Sequence, residues 1–259
     1  MYEFEYARAS SVNDALSKYQ SASDPSYIAG GHTLLPTMKQ RLASPSHLID
    51  ISKLEDLKGI KIEDDELFIG AATTHEEVAD SEIISASLPG LSDLAEGIGD
   101  PQVRARGTIG GSLANNDPAA DYPAALIALD GTIQTNNREI PSNDFFVDLF
   151  ETALEDGELI TCVKFKIPNK SKYVKFPNPA SRYAIVGVMF AEFNENKRIA
   201  VTGAGPCAFR ANNIETAIAE GKEIPTLNYE NFNSDIHASA EYRSHLIGVM
   251  TKRAIKLAY

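Results

Sequence analysis

Residues 108–121 read TIGGSLANNDPAAD, and a related stretch, AGGHTLLP, occupies residues 29–36. Each stretch places a glycine pair after an apolar or strand-like segment and follows the pair with a hydroxyl residue. A glycine pair lets the backbone turn sharply and approach a ligand closely, because no Cβ stands in the way. Successive N–H groups in such a loop form a concave anion site, and a helix beginning after the first loop would add its positive end. The two stretches together predict a phosphate or dinucleotide ligand, with plain tight turns as the alternative.

A carboxylate and a third glycine motif accompany these stretches. Asp121 lies ten residues beyond Gly111, where a carboxylate can accept hydrogen bonds from ribose or ring N–H groups. Residues 203–208 fit the G-x-G-x-x-A form of a dinucleotide fingerprint. That fingerprint needs a helix beginning inside the motif and a βαβ unit, whereas the next helix is predicted only near Asn213. We therefore predict a turn at 203–208.

Composition excludes several classes of protein. The chain has 259 residues, 24 Lys plus Arg, 36 Asp plus Glu and a net charge of −12. An acidic chain without a basic block is a poor nucleic-acid binder, because counterion release needs clustered cations. Apolar runs such as 124–129 are too short to span a bilayer, and the first residues lack the features of a signal peptide. The sequence therefore predicts a cytoplasmic protein without a transmembrane segment.

The cysteines and histidines predict no metal centre in this chain. Cys162 and Cys207 are too few for a disulfide framework or for an iron–sulfur cluster, which takes about four thiolates. The five histidines lack metal-ligand spacing.

The pattern of strands and helices is that of an α+β chain. Hairpins are predicted around Asp64-Asp65, around Asn136-Asn137 and, in a longer form, around residues 194–196. Thr74 and Glu77 have the spacing of a capping box, and Asn212 with Glu215 suggests another helix start. Residues 107–121 show few features of either helix or strand.

A domain boundary is predicted near residues 168–178, where prolines, asparagines and lysines are frequent. Beyond this boundary the last helix has apolar residues at helical spacing, so it is predicted to pack on a C-terminal sheet.

Seven segments, taken in order, resemble the FAD-binding medium subunit of molybdenum hydroxylases, the family of carbon monoxide dehydrogenase and xanthine dehydrogenase. They are AGGHTLLPTMK (29–39), HLIDIS (47–52), GAATTHEEVADS (70–81), GDPQVRARGTIGGSLANNDPAADYPAAL (99–126), GELITCVKFKIP (157–168), KFPNPASRYAIVGV (175–188) and EYRSHLIGVMTKRAIKLA (241–258). The resemblance covers nearly the whole chain.

The resemblance implies a fold and a role. Residues 1–168 would form an FAD-binding domain of the vanillyl-alcohol oxidase (PCMH) type, with subdomains of about 1–53 and 54–168 enclosing an extended FAD. Residues 174–259 would form the small C-terminal α+β domain of the carbon monoxide dehydrogenase flavoprotein type. The implied role is electron transfer from [2Fe–2S] clusters of a small partner subunit, through FAD, to an external acceptor. A large partner subunit would hold the molybdenum–pterin centre, and the family assembles as a dimer of heterotrimers.

The resemblance also implies cofactor-binding residues, but no catalytic residue in this chain. They are Ala29, Gly30, Gly31, His32 and Thr33 in a first pyrophosphate loop; Thr108, Gly110, Gly111, Ser112 and Asn115 in a second; Asp121 as a direct FAD contact; Ile98 and Ile160 as apolar walls; and Lys175 and Tyr183 near the flavin. Arg182 departs from the family pattern, since many relatives have Asp before this tyrosine.

Two other functions remain open at this point. A self-contained FAD-dependent oxidase of the same fold would need a positioned base and a substrate pocket, for which the roughly ninety residues after Pro168 leave little room. A non-catalytic nucleotide-binding module would need only the two loops.

Overall fold

The computed structural model describes residues 1–259, and it confirms the α+β class. The strands are β1 Glu5–Arg8, β2 Pro25–Ile28, β3 His47–Asp50, β4 Ile60–Glu63, β5 Glu66–Gly70, β6 Thr132–Thr135, β7 Glu139–Pro141, β8 Phe146–Asp148, β9 Glu151–Thr152, β10 Ile160–Lys166, β11 Lys170–Pro177, β12 Ala184–Phe193, β13 Asn196–Thr202 and β14 Phe209–Arg210. The helices are α1 Val12–Ser21, α2 Leu34–Lys39, α3 His75–Ala79, α4 Glu82–Ser87, α5 Pro89–Glu96, α6 Pro101–Arg104, α7 Ile109–Asn115, α8 Tyr122–Ala128, α9 Ser142–Phe145, α10 Asn212–Ala219 and α11 Ala240–Ala258.

The first sheet is parallel and has the order β1-β3-β2. Parallel strands need crossover connections, which here run through α1 and α2. The carboxyl ends of β2 and β3 consequently lie at one edge, and the first glycine pair follows β2 directly. Ligands of open parallel sheets bind at this kind of edge.

The second sheet is antiparallel and has the order β4-β5-β10-β6-β7. Asp64 and Asp65 have φ angles of 48° and 62°, so the predicted hairpin is confirmed as a turn with two left-handed residues. Six helices, α3 to α8, are inserted between β5 and β6. The capping box at Thr74 and Glu77 is confirmed at the start of α3.

The prediction of few features in residues 107–121 is wrong, because α7 occupies Ile109–Asn115. The side chain of Thr108 accepts a hydrogen bond from the Gly111 N–H at 3.1 Å and so caps this helix. Glycine and asparagine have low helix propensity, which hides the helix from a reading of local pattern. Asn116 ends it in the left-handed conformation, with φ of 43°.

The third sheet is antiparallel and has the order β11-β12-β13-β14. Lys170–Pro177 is strand β11 and pairs with β12, so this sheet begins within the region where a domain boundary is predicted. The lysines of β11 alternate with the buried side chains of Ser171 and Tyr173, which is the pattern of a half-buried strand. The domain limits 1–168 and 174–259 stay predictions.

The last helix packs on this third sheet, as predicted. Leu246, Ile247 and Met250 of α11 are buried in one cluster with apolar residues of β12 and β13. The turn predicted at 203–208 is also confirmed, since the next helix begins only at Asn212. The predicted cap at Asn212 is wrong: Ala211 holds the N-cap position, and the Glu215 carboxylate instead accepts from the Ile199 N–H at 2.8 Å. No helix of the chain combines the length and the apolar character needed to cross a membrane.

Candidate cofactor-binding site

A cavity of about 670 Å³ lies where the first two sheets and the β11–β12 loop meet. Its volume is in the range of small-molecule and cofactor sites. Every predicted site residue except Lys175 lines this cavity: Ala29, Gly30, Gly31, His32, Thr33, Ile98, Thr108, Gly110, Gly111, Ser112, Asn115, Asp121, Ile160 and Tyr183. The fold thus brings together residues that are up to about 150 positions apart in sequence.

The first glycine loop presents a run of unused backbone donors. The N–H groups of Gly30, Gly31, His32 and Thr33 donate to no backbone or side-chain acceptor of the protein. Gly31 has a φ of 72°, a left-handed conformation that favours glycine. Consecutive free N–H groups on a left-handed turn form a concave site for an anion such as a phosphate.

The second glycine pair differs from the expectation that its N–H groups are free. Ile109 donates to the Thr73 carbonyl at 3.1 Å and Gly110 to the Ala71 carbonyl at 2.9 Å. Gly111 donates to the Thr108 hydroxyl. These bonds attach the start of α7 to the residues that follow β5, so the second stretch forms a wall of the cavity rather than an array of unused donors.

The four glycines consequently serve different purposes. A Cβ on Gly30 would stand 2.1 Å from the Arg106 carbonyl oxygen, and one on Gly110 would stand 2.6 Å from the Ala71 Cβ. These two glycines therefore permit close contact within the protein. A Cβ on Gly111 would meet only the Thr108 hydroxyl, at 2.9 Å, so the remaining space beside Gly111 is open cavity.

Asp121 is a buried carboxylate in the cavity lining, with 5% of its surface exposed. Its Oδ1 atom accepts from the Tyr173 hydroxyl at 2.5 Å and from the Lys175 ammonium at 3.0 Å. Burial raises the pKa of Asp121, while Lys175 and the hydrogen bonds oppose that shift. Lys175 therefore contacts the aspartate and does not line the cavity.

The mouth of the cavity is formed by two loops that are joined by arginines. Tyr183, on the β11–β12 loop, is 46% exposed. The neighbouring Arg182 donates from Nη1 to the Gly99 carbonyl at 2.8 Å. Arg104 donates to the Ile98 carbonyl at 3.1 Å, so guanidinium groups hold both sides of the Ile98-Gly99 turn.

Sequence reasoning did not find Tyr27, His75 and Glu158, which also line the cavity. Burial lowers the pKa of His75 to about 4, so its ring is neutral at pH 7, and its Nδ1 atom is buried without a partner. His75 directly follows the capping box, but only the tertiary contact with Gly107 reveals its place at the cavity. Tyr27 lies just before the first glycine pair, which is the one local signal for it.

The ion pair between Glu158 and Arg138 is expected to make the stability of the fold depend on pH. Arg138 donates to both oxygens of this buried carboxylate, at 3.0 and 2.9 Å, and holds the pKa of Glu158 down at about 2, below its ordinary 4.5. The pair therefore stabilises the fold above pH 4.5, and this contribution is lost as the pH falls toward 2. We expect Arg138→Met to lower the free energy of unfolding at pH 7, because the Glu158 carboxylate loses its ion-pair partner and keeps only the Thr135 hydroxyl and the Glu155 N–H as donors.

Urea denaturation of Arg138→Met between pH 7 and pH 2 checks this expectation. The exposed Arg253, on α11, provides the control Arg253→Met, for which the pH profile of the wild type should be unchanged. An Arg138→Met profile parallel to that of the wild type would contradict the assignment.

Comparison with known proteins agrees with this geometry. Residues 2–170 match the family described as "FAD binding domain in molybdopterin dehydrogenase". The carbon monoxide dehydrogenase medium chain of Hydrogenophaga pseudoflava is 34% identical, over 99% of this chain and 97% of that protein. The glyceraldehyde dehydrogenase medium chain of Sulfolobus acidocaldarius is 32% identical, over 98% of each chain. A solved structure of the Hydrogenophaga pseudoflava carbon monoxide dehydrogenase superimposes with a TM-score of 0.90 at 33% identity, over 99% of this chain and 97% of that one.

Proposed function

The chain belongs to the family of FAD-binding domains in molybdopterin dehydrogenases, and we propose that it is the electron-transfer subunit of a heteromeric molybdenum hydroxylase. The observation that carries this proposal is the run of unused N–H donors from Gly30 to Thr33, facing a cavity whose opposite wall is the start of α7. Backbone N–H groups arranged in this way can bind the negative charges of a pyrophosphate without a neighbouring lysine or arginine.

The residues present fit FAD on independent grounds. The open space beside Gly111 is space that a side chain would fill, and the unpartnered Nδ1 of His75 leaves a polar atom for a bound group or a water. Ile98 and Ile160 supply apolar wall, and the half-exposed Tyr183 lies at the mouth, where an aromatic ring can pack on a flavin. When bound, FAD supplies the ability to accept electrons singly or in pairs.

We assign the protein's own groups four tasks. The N–H groups of Gly30–Thr33 bind the pyrophosphate, and Asp121 accepts a hydrogen bond from a donor of the cofactor. The start of α7 holds the cofactor from the opposite side and excludes water from that wall. The Ile98-Gly99 turn and the Arg182-Tyr183 loop leave one edge of the site open, where electrons are exchanged.

Partners follow from what this chain does not supply. Two cysteines cannot hold the iron–sulfur clusters that deliver electrons, so a small subunit with [2Fe–2S] clusters and a large subunit with a molybdenum–pterin centre complete the enzyme. We propose a dimer of heterotrimers that works in the cytoplasm and passes electrons to an external acceptor. The relatives are named for different substrates, carbon monoxide and glyceraldehyde, so we place the choice of substrate in the large subunit.

Tagged purification from the native host tests this proposal. We expect two further polypeptides to co-purify, one with the absorption of [2Fe–2S] clusters and one with bound molybdenum. We also expect the isolated chain, once its flavin is reduced by dithionite, to be reoxidised by an added acceptor without turning over any organic substrate. Substrate oxidation by the isolated chain alone would favour a self-contained oxidase instead.

A further inference from the structure

Two donors converge on one oxygen of Asp121, and this leaves the other oxygen unused. The Tyr173 hydroxyl and the Lys175 ammonium both bind Oδ1, at 2.5 and 3.0 Å. The Oδ2 atom makes no hydrogen bond within the protein, although Asp121 is buried and lines the cavity. A carboxylate oxygen in a cavity lining that has no donor from the protein is free to accept a hydrogen bond from a bound group.

The strand geometry places these two donors on the aspartate. Tyr173 and Lys175 are two residues apart on β11, so their side chains leave the same face of the strand. Gly187 lies opposite Lys175 on β12, and a Cβ there would stand 2.2 Å from the Tyr173 hydroxyl oxygen. A glycine at this position therefore gives the hydroxyl the space in which it reaches Asp121.

We infer that Tyr173 and Lys175 are positioning residues, which hold Asp121 ionised and oriented so that Oδ2 accepts a hydrogen bond from FAD. This inference rests on the proposed function, because it takes the cavity ligand to be FAD. The donor on the cofactor is a ribose hydroxyl or a ring N–H.

The charged surroundings of Asp121 make Lys175 the decisive group. The titratable groups around it are Lys175 and Tyr173 on β11, Asp117 in the preceding loop, Tyr122 on α8 and Tyr183 on the β11–β12 loop. Lys175 is the one cation among them, and Asp117 acts in the opposite direction. Removing the lysine charge should therefore raise the pKa of Asp121 further, so that the carboxyl takes up a proton at a higher pH.

Titration of the FAD-free chain with FAD between pH 5 and pH 9, followed by flavin fluorescence, tests this inference. We expect Tyr173→Phe to weaken FAD binding about tenfold at pH 7, which is the size of one lost hydrogen bond to a charged group. In Lys175→Met the loss of affinity with falling pH should begin at a higher pH than in the wild type, and Lys175→Arg should restore the profile. A role confined to folding would not shift this pH midpoint.

Two further variants isolate the effect. Tyr122→Phe removes a neighbouring buried hydroxyl that has no hydrogen-bond partner, so its FAD affinity should equal that of the wild type. In an Asp121→Asn background, Tyr173→Phe should cost little, because the two changes act on one interaction.

The outcomes separate the inference from the proposed function. If the wild type binds FAD while Tyr173→Phe and Lys175→Met match it in affinity and in pH midpoint, the positioning role is overturned and the proposed function stands. If the wild type does not bind FAD, the proposed function fails and the positioning role fails with it. Thermal unfolding of each variant identifies any that has lost its fold. If Lys175→Met does not fold, the FAD affinity of the nearly isosteric Tyr173→Phe decides whether the positioning role holds.

Discussion

Replacement of Gly111 by valine is expected to abolish FAD binding while the chain still folds. A Cβ at this position meets only the Thr108 hydroxyl, at 2.9 Å, whereas the rest of its surroundings is the open cavity. The valine methyl groups would therefore occupy space that the cofactor needs, rather than space inside a packed core. We expect at least a hundredfold loss of affinity, about 2.7 kcal/mol of binding free energy. Equilibrium titration with FAD measures this loss, and circular dichroism confirms the fold.

Gly248→Val is the matched control for this variant. Gly248 lies on α11, far along the chain from the loops, and the nearest atom to its added Cβ is Ile224 Cγ2 at 3.9 Å. This control should bind FAD like the wild type. Stoichiometric FAD in purified Gly111→Val would show that the wall of the cofactor site lies elsewhere.

A methyl group on Gly30 is expected to damage both stability and cofactor binding. In Gly30→Ala the new Cβ would stand 2.1 Å from the Arg106 carbonyl oxygen and 2.9 Å from the Gly107 Cα. Both neighbours are backbone atoms, so relief requires the first loop to move away from the segment that precedes α7. We expect the free energy of unfolding to fall by about 3 kcal/mol, as in severe overpacking, and FAD affinity to fall with it.

Urea denaturation and FAD titration on the same preparation check the Gly30→Ala prediction. Gly248→Ala adds the same methyl group to a helix without a close neighbour, and it should leave stability unchanged or raise it. A Gly30→Ala protein as stable as the wild type would contradict the close contact between the two loops.

Local signals predicted much of this architecture. The Asp64-Asp65 turn and the capping box of Thr74 and Glu77 are formed by residues that are close in sequence. Both could therefore be predicted without knowledge of the fold. The last helix was predicted to pack on the C-terminal sheet for the same reason, since its apolar spacing is a local property. The glycine pairs likewise indicated two stretches that the fold brings to one cavity.

The sequence could not show which glycines allow close contacts within the protein and which border the cavity, because this depends on contacts between residues that are distant in sequence. Gly30 packs against the backbone carbonyl of Arg106, which is 76 positions away, and Gly110 packs against Ala71. Both pairs looked alike in sequence, yet only the first leaves its N–H groups unused. In the second pair, Gly110 donates to the carbonyl of Ala71, which follows β5, and Gly111 donates to the capping hydroxyl of Thr108. The spacing of residues in the sequence does not reveal these contacts.

The segment at 168–178, where a boundary was predicted, contains strand β11, which its composition did not indicate. Its prolines, asparagines and lysines are typical of a linker, but the alternation through Ser171 and Tyr173 carries a strand. Pairing with β12 satisfies the backbone of this strand, which begins the third sheet within the predicted boundary region. The same oversight hid Tyr173, whose importance lies in a hydrogen bond to a residue 52 positions earlier.

The claim that one dinucleotide spans the cavity, with its pyrophosphate on the Gly30–Thr33 loop, is tested most directly by comparing FAD with FMN. Both are titrated into the flavin-free wild-type chain under identical conditions, because FMN carries the flavin but lacks the second phosphate and the adenosine. We predict saturation at one FAD per chain, with FMN bound at least about a hundredfold more weakly because most of its contacts are lost. Equal binding of the two flavins, or no saturable binding of FAD, would contradict the account.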